Sequence, residues 1–150
     1  RAAAPVFQQA GVVMISAYGV HPDITKAGDY NFRLVHLGPP QGAAAALFIG
    51  DKLKLKKVST ITMDNDYGQA TMEGFLAAAP KYGLDVVNKY SYSLKDRQFG
   101  SIVASVKRDN PDVIFATGYF FTAGPLVAQL RAAGITAPIV GSPEEPRRAR

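Results

Sequence analysis

The stretch VSTITMDNDYGQATMEGFLAAAPKYGLDVVNKYSY, residues 58–92, decides the fold. Residues 58–63 form a short run rich in β-branched side chains, residues 67–82 place apolar side chains at helical spacing, and residues 85–92 return to an extended pattern. A strand, an amphipathic helix and a second strand make a βαβ unit. The pattern continues downstream with a helix over 99–108, a strand over 112–117, a helix over 123–133 and a last strand over 138–141. Such alternation predicts an α/β fold, a doubly wound (Rossmann-like or flavodoxin-like), mostly parallel sheet with helices on both faces.

Upstream the same reading gives a helix over residues 41–55. Before it, residues 2–10 read as the end of a helix, Gly11 as its stop and residues 12–16 as a short buried strand. A polar stretch over 18–31 leads to an extended segment at 32–35, and Gly38-Pro39-Pro40 reads as a boundary. Local chemistry supports these limits. Asp66 is placed to cap the helix that follows it, with Gln69 at the capping-box position, and Asp96 precedes the next helix. Asn110-Pro111 ends that helix, and Gly83 and Gly134 stand where helices need a left-handed residue.

Composition excludes several chemistries. The chain has 150 residues, 47% of them hydrophobic, enough to bury the core of one domain. Its net charge of +5 is concentrated at the ends, in Arg1, Arg147, Arg148 and Arg150. The internal cluster Lys52, Lys54, Lys56 and Lys57 falls where a helix ends and has no interleaved aromatics, so it reads as a solvated helix terminus and not a nucleic-acid surface. There is no cysteine, which removes disulfides, thiolate catalysis and sulfur-ligated metals. His21 and His36 alone make no metal site. No apolar run reaches the ~20 residues that span a bilayer, and no export signal stands at the N-terminus.

In an open parallel sheet, ligands bind beyond the carboxyl ends of the strands. The segments there are Ala17-Tyr18-Gly19-Val20-His21, Asp64-Asn65-Asp66-Tyr67-Gly68, Gly118-Tyr119-Phe120-Phe121 and Ser142-Pro143-Glu144-Glu145. Three of the four carry a tyrosine, whose flat apolar face and single hydroxyl suit a small organic ligand, although packing over the sheet edge accounts equally well for any one of them. Neither G-x-G-x-x-G nor a phosphate-cradling loop occurs, so no dinucleotide or nucleotide cofactor is expected. Ser16, His21 and Asp23 lack a nucleophile elbow. Asp64 and Asp66 lack the further acidic pair and the lysine of a phospho-acceptor site.

Five stretches together resemble one family: VVMISAYGVHPDITKAGDYNFRL (12–34), QGAAAALFIGDKLKLKKVSTI (41–61), DNDYGQATMEGF (64–75), FGSIVASVKRDNPDVIF (99–115) and GYFFTAGPLVAQLRAAGITAPIVGS (118–142). They are similar to the type I periplasmic solute-binding proteins of branched-chain amino-acid (leucine/isoleucine/valine) ABC importers. That resemblance implies a two-lobed, non-enzymatic receptor that closes on a small molecule and delivers it to a membrane permease. It assigns residues 1–37 to the end of the N-terminal lobe and its hinge approach, 38–141 to the C-terminal lobe and 142–150 to an irregular tail. The serine-containing ligand loop of the N-terminal lobe falls outside the chain.

Carried over residue by residue, the resemblance makes Tyr18, Gly19 and Val20 the loop that holds a ligand carboxylate, with Val20 where relatives have a threonine. Tyr67, in D-x-x-Y-G, and Tyr119, after Gly118, become tyrosines beside the ligand. The acidic partner of an α-ammonium group falls at Pro143, leaving Glu144 as its substitute. The implied ligand is a branched-chain amino acid, or an aromatic or aliphatic carboxylate or amide. The implied compartment is the periplasm, with the signal peptide not present in this chain. Two further readings are a sensory domain of the same fold coupled to a regulator, and a small doubly wound enzyme. A lobe without its mate leaves cleft and hinge surfaces uncovered, which predicts self-association.

Overall fold

Every strand pair in the computed structural model, which describes residues 1–141, is parallel. Along the chain run α1 (Ala3–Gln9), β1 (Met14–Ser16), α2 (Asp23–Lys26), β2 (Asn31–Arg33), α3 (Gly38–Leu47) and β3 (Lys57–Met63). They are followed by α4 (Asp66–Ala78), β4 (Asp85–Tyr92), α5 (Gly100–Asp109), β5 (Val113–Ala116), α6 (Phe120–Ala132) and β6 (Ile139–Gly141). The larger sheet has the order β4-β3-β5-β6, and β1 and β2 form a separate two-stranded sheet. The doubly wound α/β fold read from residues 58–92 is therefore the observed one.

Side chains of the central strands alternate between two apolar layers. Val58, Val113 and Phe115 meet Ala46, Ile49, Met72, Phe75 and Ala79 on the face covered by α3 and α4, where Phe75 stacks on Phe115 at 4.2 Å. Ile61, Met63, Ile114 and Ala116 meet Phe99, Val103, Val106, Leu126 and Leu130 on the face covered by α5 and α6. Each large side chain buried this way contributes about 1.5–3 kcal/mol. Burial on both faces is what a parallel sheet requires.

On the first face, α3 and α4 touch backbone to backbone. A methyl group at Gly42 would fall on the Thr71 carbonyl and the Phe75 amide, and one at Gly74 on Pro39. Glycine at these two helix positions serves close approach, against its low helix propensity.

Several expectations need correction. Gly38-Pro39-Pro40 is the first turn of α3, so that helix starts three residues before the expected residue 41; prolines fit there because first-turn amides have no intrahelical acceptor. That helix does not run to residue 55. It widens into a π-type segment, Phe48–Leu53, and stops at Lys54 with φ +57°. Lys57 is no solvated helix end: it opens β3 and its ammonium donates to the Asp109 carbonyl. The polar stretch contains α2, and α6 starts at Phe120, three residues early. Asp96 caps no helix; its carboxylate accepts from the Ser93 amide. Gly83 and Gly134 adopt positive φ as read, and the stops at Gly11 and Asn110 do so too.

At the amino end of the sheet, Asp109 accepts from Ser59 Oγ (2.8 Å), Asn88 Nδ2 (2.6 Å) and Tyr90 Oη (2.7 Å). Burial alone would raise its pKa, but these donors and the Lys57 charge outweigh it and hold the carboxyl below the usual range. Asp112 is lowered by the amides of Lys57 and Lys56. Tyr90 is pushed up to about 12, by burial first and then by the adjacent Asp109.

Two expectations follow for stability. Gly42→Ala should cost about 1–3 kcal/mol through overpacking, whereas Gly124→Ala, where an added methyl meets nothing within 4 Å, should gain about 0.5–1 kcal/mol. Denaturant midpoints at constant m decide this. Because folded Asp109 and Asp112 sit low, their contribution is present above the unfolded carboxylate pKa of about 4 and disappears as pH falls through the folded values. Tyr90 has the opposite sign: its contribution is complete below about pH 10 and fades towards pH 12. Thermal melts against pH should therefore show an alkaline decline that Tyr90→Phe reduces.

Candidate functional site

The sheet winds outward in opposite directions from β3 and β5, so a crevice must open between their carboxyl ends. Tyr67 follows β3 and Tyr119 follows β5, one on each side of that point. Their rings stack at 5.4 Å with 12° between planes. Behind them the strand ends are tied together. Thr117 Oγ1 accepts from the Met63 amide (3.1 Å), and Tyr92 Oη donates to the Thr117 carbonyl (3.0 Å). Thr122 Oγ1 donates to the Tyr119 carbonyl (3.0 Å) at the start of α6. The two tyrosines are therefore held by the core and not by loop chemistry.

The helix after β3 is capped by Asn65, not by Asp66. Asn65 Oδ1 accepts from the Gly68 amide at 2.8 Å, while Gln69 reaches Asp64 instead of closing a capping box. Asn65 Nδ2 also donates to Tyr119 Oη at 3.4 Å, linking the cap to the tyrosine pair. Gly68 permits this entry, because a side chain there would overlap the Met63 carbonyl. With Asn65 as cap, Asp66 is free to face the crevice.

Opposite the tyrosines lies the loop after β1. Its Val20 carbonyl accepts from the Gly38 amide (3.0 Å), and its Val20 side chain is buried in the same core cluster as Tyr67. Together the two sides enclose a cleft of about 400 Å³, lined by Arg1, Tyr18, Gly19, Val20, His21, Ile24, Asn65, Asp66, Tyr67 and Tyr119. Larger hollows exist: an apolar groove of about 560 Å³ between α3 and β6, and one of about 500 Å³ at the amino ends of β5 and β6. Neither lies at the switch point, and the chemically mixed cleft is the better site.

Five of the six site residues read from the sequence thus come together: Tyr18, Gly19, Val20, Tyr67 and Tyr119. Glu144 lies outside the described residues. The exposures differ in a useful way: Tyr18 is 74% exposed and projects into the opening, while Tyr67 is 8% exposed and belongs half to the core. Packing over the sheet edge therefore accounts for part of Tyr67 but not for Tyr18.

Three contributors escaped sequence reading. Asn65 was masked by its acidic neighbours. Arg1 Nη1 lies 3.6 Å from Asp66 and 4.0 Å from Asp23, and bonds His21 Nε2 at 3.0 Å. Arg33, on β2, donates to the carbonyls of Gly19 (3.2 Å) and His21 (2.7 Å) and to Thr25 Oγ1 (2.7 Å). The signal for Arg33 was an arginine alternating with Phe32 and Leu34 in a short strand. Ser16 Oγ accepts from the Gly19 amide at 3.0 Å, and His21 Nδ1 accepts from the Asp23 amide.

Sequence comparison now bears on this cleft. A family profile described as periplasmic binding protein matches residues 1–144. The chain belongs to the periplasmic binding protein family. Among its relatives are an amino acid binding protein of Pseudomonas aeruginosa, 30% identical over 90% of this chain and 36% of that protein, and the Leu/Ile/Val-binding protein of Citrobacter freundii, 28% identical over 93% and 38%. Among solved structures, the leucine-binding protein of Thermotoga maritima superposes with a TM-score of 0.87 at 27% identity, covering 92% of this chain and 39% of that one. The isoleucine complex of a branched-chain amino acid binding protein of Streptococcus pneumoniae gives 0.83 at 30% identity, over 93% and 40%. The chain spans a little over a third of the length of these family members.

The geometry separates framework from contact surface. Tyr119→Ala is expected to lower stability by about 1–3 kcal/mol, of which stacking on Tyr67 accounts for about 0.5–1.5 kcal/mol. Tyr18→Ala, at an exposed position, should stay within about 0.5 kcal/mol of the parent. Urea titration of the two variants without ligand is the check.

Proposed function

We propose that this chain is ligand-binding machinery of an extracytoplasmic solute receptor that serves an ABC importer, and that it binds without performing chemistry. The observation that carries the reading is the convergence of the Tyr18–Val20 loop and the Tyr67/Tyr119 pair on one cleft at the switch point of the sheet. The relatives named for leucine, isoleucine and valine binding support it.

In this reading residues 1–37 end one lobe, residues 38–141 form the other, and the ligand lies between them. The ligand is a small amino acid or a related carboxylate or amide. Its anionic end meets the backbone amides of the loop containing Tyr18, Gly19 and Val20. Its apolar body lies against Tyr67 and Tyr119. Asp66, on the cleft wall, and Glu144 are the acidic candidates for an ammonium end. Val20 has no hydroxyl, so the loop holds the anion by backbone alone.

A membrane permease receives the ligand, and the periplasm is the compartment. Among the described residues no helix is long and apolar enough to cross a membrane. Ile15 and Phe32, on the two-stranded sheet, and Leu34, just after β2, are 59%, 51% and 77% exposed. Such an apolar surface underlies the expected self-association of the chain.

Thermal unfolding against L-leucine, L-leucinamide, benzoate and isoamylamine tests the reading. A ligand at a hundred times its Kd should add about 2.7 kcal/mol to stability. Stabilisation by compounds carrying a carboxylate or amide, lost in Tyr18→Ala and Tyr67→Ala, is the expected result. An unmoved melting temperature across the series would overturn it for this chain.

A further inference from the structure

The loop after β1 leaves its amides open in a particular way. Among the described residues, the amides of Tyr18 and Val20 donate to no protein group, whereas the Gly19 amide is already taken by Ser16 Oγ. Among the described residues all peptide bonds are trans, so each carbonyl points opposite to the amide that follows it. With the Gly19 carbonyl turned to Arg33, the Val20 N–H must point away from Arg33. Gly19 and Val20 line the cleft and Arg33 does not.

Arg33 is half-buried, and among the described residues no carboxylate pairs with it. Its three hydrogen bonds go to two loop carbonyls and the hydroxyl of Thr25 in α2. A guanidinium stays charged at any pH a protein survives, and its planar fork fixes direction as well as distance. An uncompensated cation behind the Gly19 carbonyl polarises that peptide, which strengthens the Val20 N–H as a donor on the far side. It also places positive potential where an anion would sit.

We propose that Arg33 is the positioning residue that gives this cleft its preference for a carboxylate, acting through the Gly19–Val20 peptide and not by touching the ligand. The inference rests on the reading above that this loop meets the ligand's anionic end. It extends that reading by naming what selects a carboxylate over its neutral amide when the side chain at position 20 has no donor.

Two measurements on the whole chain test it, using the variants Arg33→Lys and Arg33→Met. In Arg33→Met the affinity for L-leucine should fall about tenfold or more, the scale of one charge-assisted interaction, while that for L-leucinamide falls much less. Arg33→Lys, which keeps the charge without the fork, should retain part of the preference. An equal loss for both ligands, or none for either, would mean that Arg33 is only structural and would overturn the proposal.

The second measurement needs no ligand. In proton–nitrogen NMR spectra of the free chain, both variants should move the Val20 amide resonance and leave those of β3–β6 in place. If neither compound stabilises the parent chain, the ligand reading fails by itself and the spectrum decides the role of Arg33. A Val20 resonance unmoved in both variants overturns that role, and a selective shift sustains it.

Discussion

Parallel pairing of β3 with β4 on one side and with β5 on the other is the constraint on which the rest depends. It forces every connection to cross over as a helix and buries the central strands on both faces. It also sends all carboxyl ends to the same edge. Because the winding reverses between β3 and β5, the segments that follow those two strands part and leave a crevice. The site is thus a consequence of strand order before any particular side chain is considered.

Side chains then decide how rigid that crevice is. Thr117, Tyr92 and Thr122 lock the strand ends to one another, so the stacked Tyr67 and Tyr119 stand on a braced platform. The facing loop is braced differently, by a single cation that gathers its carbonyls and by the Gly38 amide that holds the Val20 carbonyl. Both walls combine apolar burial with directed polar bonds. The α3 N-terminus, packed without clearance on α4 through Gly42 and Gly74, joins the two. A small shift of α3 would therefore be felt at Val20.

Much of this was legible in the sequence. Strand and helix types were readable because each element repeats its apolar side chains with one period over several residues, and the helix stops because glycine or asparagine is needed where φ turns positive. The switch-point loops could be placed for the same reason. One strand was misjudged: residues 12–16, read as buried, leave Val12, Val13 and Ile15 exposed in and before β1. The other errors lay mostly at helix starts. Pro39 and Pro40 look like breakers until they occupy a first turn, and three candidate caps in a row, Asp64, Asn65 and Asp66, differ only in how their side chains are directed in space.

The amino-acid order alone determined the α/β class, the strand sequence and the residues that reach the carboxyl edge of the sheet, since periodicity and turn chemistry are local properties. Only the tertiary structure decided that Asn65 caps α4 and touches Tyr119, that the Val20 side chain is core while its amide has no protein acceptor, and that Arg33 bonds the carbonyls of Gly19 and His21. The cap is a choice among three neighbouring side chains; the other facts depend on contacts between residues 12–54 positions apart, and no local pattern encodes the direction of a hydrogen bond across such a distance.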